Sequence, residues 1–201
     1  MAGQPLLIGV TGAIGAGKSS VLQAFALRGC ACLSADAVVH TLYHQSRVRD
    51  AVVARFGEQV LDDHGEVDRV TLARLVFGDQ NALAWLEQYL HPLVEDHMRT
   101  WLAEAQLREP APPLVVYESP LLFEAGLQRR FDRTLVVTAN DDVRRSRIAG
   151  RGGLERLADR ESRMWTAEQR LAAADDAIDN SGTLAELQHT VDAYIERYAG
   201  A

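Results

Sequence analysis

An apolar run, Leu6-Leu7-Ile8-Gly9-Val10, leads within two residues into Gly12-Ala13-Ile14-Gly15-Ala16-Gly17-Lys18-Ser19, which satisfies G-x-x-x-x-G-K-[ST]. Few local patterns constrain a fold as tightly, because this one has a meaning only where a strand ends, a glycine-rich loop turns and a helix begins. A polyphosphate is best held by several backbone N–H groups pointing into one concavity, which Cβ atoms would crowd. Gly12, Gly15 and Gly17 allow the turn and the close approach. A helix starting near Lys18, with Val21, Leu22, Phe25 and Ala26 as its apolar face, adds its positive end to the same anion site. Lys18 is then placed to reach the β- and γ-phosphate oxygens, and Ser19 to offer its hydroxyl to Mg²⁺. The expected phosphate cradle is Gly12, Ala13, Ile14, Gly15, Ala16, Gly17, Lys18, Ser19 and Ser20.

Further strand-like runs fall at residues 31–34, 114–118, 133–138 and 177–179, separated by helical patterns. Alternation of this kind predicts an α/β, P-loop NTPase-like, doubly wound fold with a mainly parallel five-stranded sheet. Between Asp36 and Arg108 only helical periodicity is present: Val48, Val52 and Phe56, then Leu72, Leu75 and Val76, then Leu83, Leu86, Tyr89 and Leu90. That is far longer than the dozen or so residues a crossover needs, so an inserted helical substrate subdomain is expected over residues 36–108. Prolines in Glu109-Pro110-Ala111-Pro112-Pro113 end it. The nucleotide-binding core is expected over residues 1–35, 114–145 and 174–201, with a lid over 147–173. In the last helix Leu184, Leu187, Val191, Tyr194, Ile195 and Tyr198 form a packing stripe, with Thr183 as its N-cap.

With 201 residues and 47% hydrophobic content, the chain can bury a full core as one domain with an inserted subdomain. A formal net charge of −7 argues against a broad basic surface for duplex nucleic acid and favours a small-molecule substrate. Cys30 and Cys32, the only cysteines, read as two buried thiols rather than a metal site or a disulfide. No apolar segment approaches the ~20 residues of a membrane span, and the start of the chain has no basic leader, so a cytoplasmic location is expected. Nothing in the sequence calls for an obligate protein partner.

A phosphate-binding loop by itself admits kinases, GTPases, motors and regulatory binders. The Asn-Lys-x-Asp pattern of guanine recognition does not occur, and the two D-x-x-G sequences, at Asp62 and at Asp179, read as turns, since neither directly follows a strand that could place its Asp at Mg²⁺. ATP is therefore the expected nucleotide. Asp36 lies just past the second strand, where the carboxyl ends of parallel strands border the ligand crevice. It is a candidate to orient or accept the proton of an attacking hydroxyl; the alternative is a helix N-cap. In Arg144-Arg145-Ser146-Arg147-Ile148-Ala149-Gly150-Arg151, the arginines 144, 147 and 151 share one helical face. Guanidinium groups so arrayed can stabilise the equatorial oxygens of a transferring phosphoryl group; a solvated basic face is the alternative. Glu118 closes the third strand where a carboxylate resembles the Walker-B residue, and a glutamate's reach makes it a candidate to act on Mg²⁺ through water rather than as a direct ligand.

Taken in order, these residues resemble one family, dephospho-CoA kinase. The resemblance is carried by 10–19 of the loop, Ser34-Ala35-Asp36, Arg55-Phe56-Gly57, Asp68-Arg69, Leu75-Val76-Phe77, Leu90-His91-Pro92, the Pro120-Leu121-Leu122-Phe123-Glu124-Ala125-Gly126-Leu127 segment and residues 174–182. It implies ATP-dependent phosphorylation of the ribose 3′-hydroxyl of dephospho-CoA, giving CoA and ADP as the last step of CoA synthesis. It further implies Lys18, Asp36 and Arg147 as catalytic residues, Asp36 being the base that activates the hydroxyl, and Arg151 as the lid arginine. His91, Phe56, Phe77 and Glu118 become candidate substrate contacts, while Ser19 would ligate Mg²⁺ directly and Asp36 and Glu118 through water. Read without the resemblance, His91 before Pro92 stiffens a turn or packs, and Phe56 and Phe77 are core aromatics. The sequence departs from the family where Ser34 stands for a usual Asp, where Ala13 and Ala16 stand for Gly and Ser, and where Gly152-Gly153 follow the lid arginine in place of an acidic residue.

Overall fold

Short runs rich in Val, Ile and Leu become the strands β1 (Leu7–Gly12), β2 (Ala31–Ser34), β3 (Val115–Glu118), β4 (Arg133–Thr138) and β5 (Asp176–Asp179). In the computed structural model, which describes residues 4–150, 161 and 164–199, these strands hydrogen-bond in the order β2-β3-β1-β4-β5. Every pair is parallel, so the sheet among the described residues is wholly rather than mainly parallel. Helices α1 (Lys18–Ala26), α2 (Ala35–Tyr43), α3 (Ser46–Phe56), α4 (Arg69–Phe77), α5 (Gln80–Gln106), α6 (Asp141–Ala149), α7 (Ala167–Ala173) and α8 (Leu184–Tyr198) fill the connections. The chain divides into a nucleotide unit, Met1–Ser34 with Leu102–Ala201, and a helical unit, Ala35–Trp101.

In the nucleotide unit, side-chain alternation along the strands sorts the core into two layers. Ile8 and Val10 of β1, with Val116, Leu135 and Val137 of its neighbours, pack with Val21 and Phe25 of α1 and Leu187, Val191 and Tyr194 of α8. Val136 packs on the opposite face with Leu122 and Phe123. β1 extends two residues beyond the apolar run that predicts it, because Thr11 and Gly12 still pair with Val136 and Val137 of β4. Glycine permits this: a Cβ at position 12 would lie 2.3 Å from the carbonyl oxygen of Val137. The loop's first glycine is thus the strand's last residue. α8 starts at the expected cap, where the Thr183 hydroxyl accepts from the Glu186 N–H and the Glu186 carboxylate accepts from the Thr183 N–H. Leu184, at the head of the predicted stripe, is exposed, since one helical turn at the N-terminus projects past the core.

In the helical unit, Val48 and Val52 of α3, Leu72 and Val76 of α4 and Leu83, Leu86 and Leu90 of α5 are buried as their spacing predicts, whereas Leu75 is exposed. Asp68 caps α4 by accepting from the Val70 N–H. Pro92 corrects a local expectation. His91-Pro92 forms no turn but lies inside the 27-residue α5. A proline there leaves the carbonyl four residues earlier without its helical donor, and Gln88 is exposed, where water can serve it.

Candidate active site

The loop between β1 and α1 is shaped by its glycines and braced from behind. Gly17, with φ 88° and ψ 32°, turns the chain into α1 in a left-handed conformation, and no side chain caps the helix start. No acidic residue occupies the first turn of α1, so its positive end is not neutralised locally. A Cβ at Gly17 would lie 2.2 Å from the Asn180 Nδ2 and 3.1 Å from the Arg147 Nη1. Glycine at 17 thus leaves room for the side chains that brace the loop, and the uncapped, unneutralised start of α1 is what suits a bound polyphosphate.

Lys18 is mostly buried, and its ammonium donates to the carbonyls of Gly12 (3.0 Å) and Ala13 (3.4 Å). The Glu118 carboxylate, buried at the end of β3, lies 3.9 Å away. Sheet register brings Ser34 beside Glu118 as Cα partners in β2 and β3, and the Ser34 hydroxyl donates to Glu118 Oε2 at 2.6 Å. The residue that stands in place of the family's first aspartate thus serves as a neutral donor to a carboxylate; two carboxylates there would repel each other. Ser19 is exposed on the first turn of α1. A hydroxyl and a carboxylate are hard oxygen donors, the chemistry suited to Mg²⁺, which keeps several waters and takes one or two carboxylates plus phosphate oxygens.

The arginine face of α6 is not a solvated surface. Arg144 Nε donates to the Ile14 carbonyl at 3.0 Å, and its other nitrogens pair with Asp141 and Glu161. Arg147 Nη1 donates to the carbonyls of Gly15 (3.4 Å) and Ala16 (3.2 Å), and Nη2 to that of Asn180 (2.9 Å). Arg145, off this face, is exposed. The Ala16 methyl is fully buried in the core shared with α1 and α8, where a serine hydroxyl would lack an apolar fit. Ala16 therefore presents its methyl to the core and its carbonyl to the bracing side chains.

Asn180 is a loop-holding residue that the sequence reading misses. Its buried amide Nδ2 donates to the Ala16 carbonyl at 2.8 Å. The D-x-x-G at Asp179 is a turn as read, since Asp179 Oδ1 accepts from the Ser181 N–H, and Asp179 ends β5. That is how the next side chain reaches the loop.

The remaining candidates belong to other surroundings. Asp36 is exposed on the first turn of α2 in the helical unit, within the helix rather than at its N-cap. Also in that unit, His91 is exposed on α5, and the Phe56 ring stands edge-on to Trp85, 5.5 Å between centroids, under the Arg55 guanidinium. Arg151 and the side chain of Phe77 lie outside the described residues. The thiols of Cys30 and Cys32 are free. Cys30 is buried as expected but Cys32 only half so, and burial pushes them up to about 11 and about 12. Among the described residues no helix is long and apolar enough to cross a membrane.

Comparison with known proteins agrees with this geometry. The CoaE dephospho-CoA kinase family model matches residues 6–186. A dephospho-CoA kinase of Methylococcus capsulatus is 38% identical over 197 residues, 96% of this chain and 97% of the relative. One of Yersinia pestis is 35% identical over 199 residues, covering 96% and 92%. Among solved structures, TT1252 from Thermus thermophilus superposes with a TM-score of 0.78 at 32% identity, covering 98% of this chain and all of that one.

Proposed function

Because the chain belongs to the dephospho-CoA kinase family, we propose that Lys18, Asp36 and Arg147 carry the transfer of the ATP γ-phosphoryl group to the ribose 3′-hydroxyl of dephospho-CoA. The reaction gives CoA and ADP, the last step of CoA synthesis. The loop amides and the positive end of α1 bind the donor phosphates, and the Lys18 ammonium, now on the Gly12 and Ala13 carbonyls, turns to their β- and γ-oxygens. The Arg147 guanidinium, which donates to the carbonyls of Gly15 and Ala16, is the cation offered to charge that develops on the transferring group. Asp36 orients the acceptor hydroxyl and takes its proton as the new O–P bond forms. Bound Mg²⁺ neutralises phosphate charge; Ser19 would hold it directly, and Asp36 and Glu118 through water. The lid expected over residues 147–173 falls in part outside the described residues, Arg151 with it.

The observation that most supports this reading is the convergence of Lys18, Glu118 and Arg147 on one glycine loop at the uncapped start of α1. Steady-state kinetics of Asp36→Asn test it. A general base contributes about 10²- to 10⁴-fold, so kcat falls by that factor while the KM for ATP changes less than about twofold. A kcat within about twofold of the parent removes Asp36 from the mechanism.

A further inference from the structure

A buried cation outside the catalytic set adjoins the loop. Arg170, on the last turn of α7, is 3% exposed; among the described residues its ionic partner is Glu124, at 3.4 Å from Nη2, and its buried Nε has no hydrogen-bond partner. Glu124 Oε1 also accepts from the Trp165 N–H at 2.6 Å, while Glu124 Oε2 is buried with no hydrogen-bond partner. The buried pair is thus incompletely satisfied on both sides, which is costly for groups away from water. Arg170 lines a cavity of about 270 Å³ whose wall also includes Ala13 of the glycine loop, Arg144, Glu161 and Trp165. That volume far exceeds the roughly 30 Å³ of one water. All of these residues belong to the nucleotide unit. Of the wall's other charges, Arg144 and Glu161 neutralise each other.

We propose that this cavity is an oxyanion subsite in which Arg170 binds the diphosphate of the acceptor, making Arg170 a substrate-binding residue; the proposal rests on dephospho-CoA being the acceptor. Guanidinium suits phosphate oxygens because its N–H groups lie in a rigid plane and stay charged. The donor's phosphates have the loop amides and Lys18, so the other phosphate group in the reaction is the acceptor's own diphosphate. Ala13 on the wall puts the subsite beside the loop from which the phosphoryl group leaves.

The test is kinetics and calorimetry on the full chain with Arg170→Met. As removal of one member of a buried pair can unfold a protein, the double variant Glu124→Gln/Arg170→Met, which leaves no orphaned charge, is measured beside it. The expected result, in whichever variant retains the parent's circular dichroism, is a KM for dephospho-CoA at least about tenfold higher, with the KM for ATP within about twofold. Calorimetric titration with dephospho-CoA alone weakens by the same factor. An unchanged KM for dephospho-CoA overturns the subsite, and so does a rise in the KM for ATP instead, which would assign Arg170 to the donor. If the unsubstituted chain fails to phosphorylate dephospho-CoA, the proposed function itself falls. An unmoved KM in Arg170→Met overturns only the subsite.

Discussion

Truncating Asn180 to alanine probes how the phosphate loop is held, and its cost can be worked from the contacts. The substitution removes the buried donor that lies 2.8 Å from the Ala16 carbonyl. That carbonyl still accepts from Arg147 Nη1 at 3.2 Å, so it loses one of two donors and is not orphaned. An orphaned buried acceptor costs about 1–3 kcal/mol, which puts this loss at about 1–2 kcal/mol. For a chain of this size each kcal/mol lowers Tm by about 2–4 °C, so thermal unfolding followed by circular dichroism shifts down by about 2–8 °C. The KM for ATP rises, because the loop carbonyl fixed by Asn180 immediately precedes Gly17. A companion, Gly17→Ala, has two costs: a left-handed backbone, about 1–2 kcal/mol for a residue with Cβ, and a contact at 2.2 Å with the Asn180 Nδ2. Deleting the Asn180 amide relieves the second cost but not the first. The double variant should therefore be less destabilised than the sum of the singles by at least about 1 kcal/mol. Unchanged Tm and KM in Asn180→Ala, or strict additivity in the double, would refute the bracing of the loop by Asn180.

Lys18→Ala should raise the KM for ATP and lower kcat by about 10²- to 10³-fold, the usual cost of losing a cation at developing charge; equal turnover in an ADP-release assay would undo the loop assignment. The two thiols should resist Ellman's reagent at pH 8, since with values of about 11 and about 12 for Cys30 and Cys32 their thiolate fractions are about 10⁻³ and 10⁻⁴. Rates should rise with pH and both thiols should titrate at once on unfolding; a fast native phase at pH 8 would contradict their burial.

The loop was legible because every part of it is local: strand, glycines, lysine and helix lie within residues 7–26. The same holds for the Thr183 cap and for the apolar faces, whose periodicity the sequence carries directly. Asn180 was not legible as a loop contact, since its role depends on β5 lying beside β4, which brings it to a carbonyl 164 residues away. Arg144 and Arg147 were legible as a helical face but not as donors to the loop's carbonyls, because helical spacing says nothing about what the face meets. Pro92 misled through a local rule that holds in water and yields where a long helix is set by packing on either side. The buried pair of Glu124 and Arg170 had no signal in spacing at all, being joined only by tertiary packing.

The central claim is most directly tested by following the phosphoryl group. The purified full chain is incubated with ATP, Mg²⁺ and dephospho-CoA, with adenosine and shikimate as alternative acceptors, and the product is located by phosphorus NMR. The account predicts one ADP formed per dephospho-CoA consumed, a new phosphomonoester on the ribose 3′-oxygen, and no comparable turnover of the other two acceptors. ADP formation with adenosine or shikimate but not with dephospho-CoA, or a phosphate on another oxygen, would contradict it.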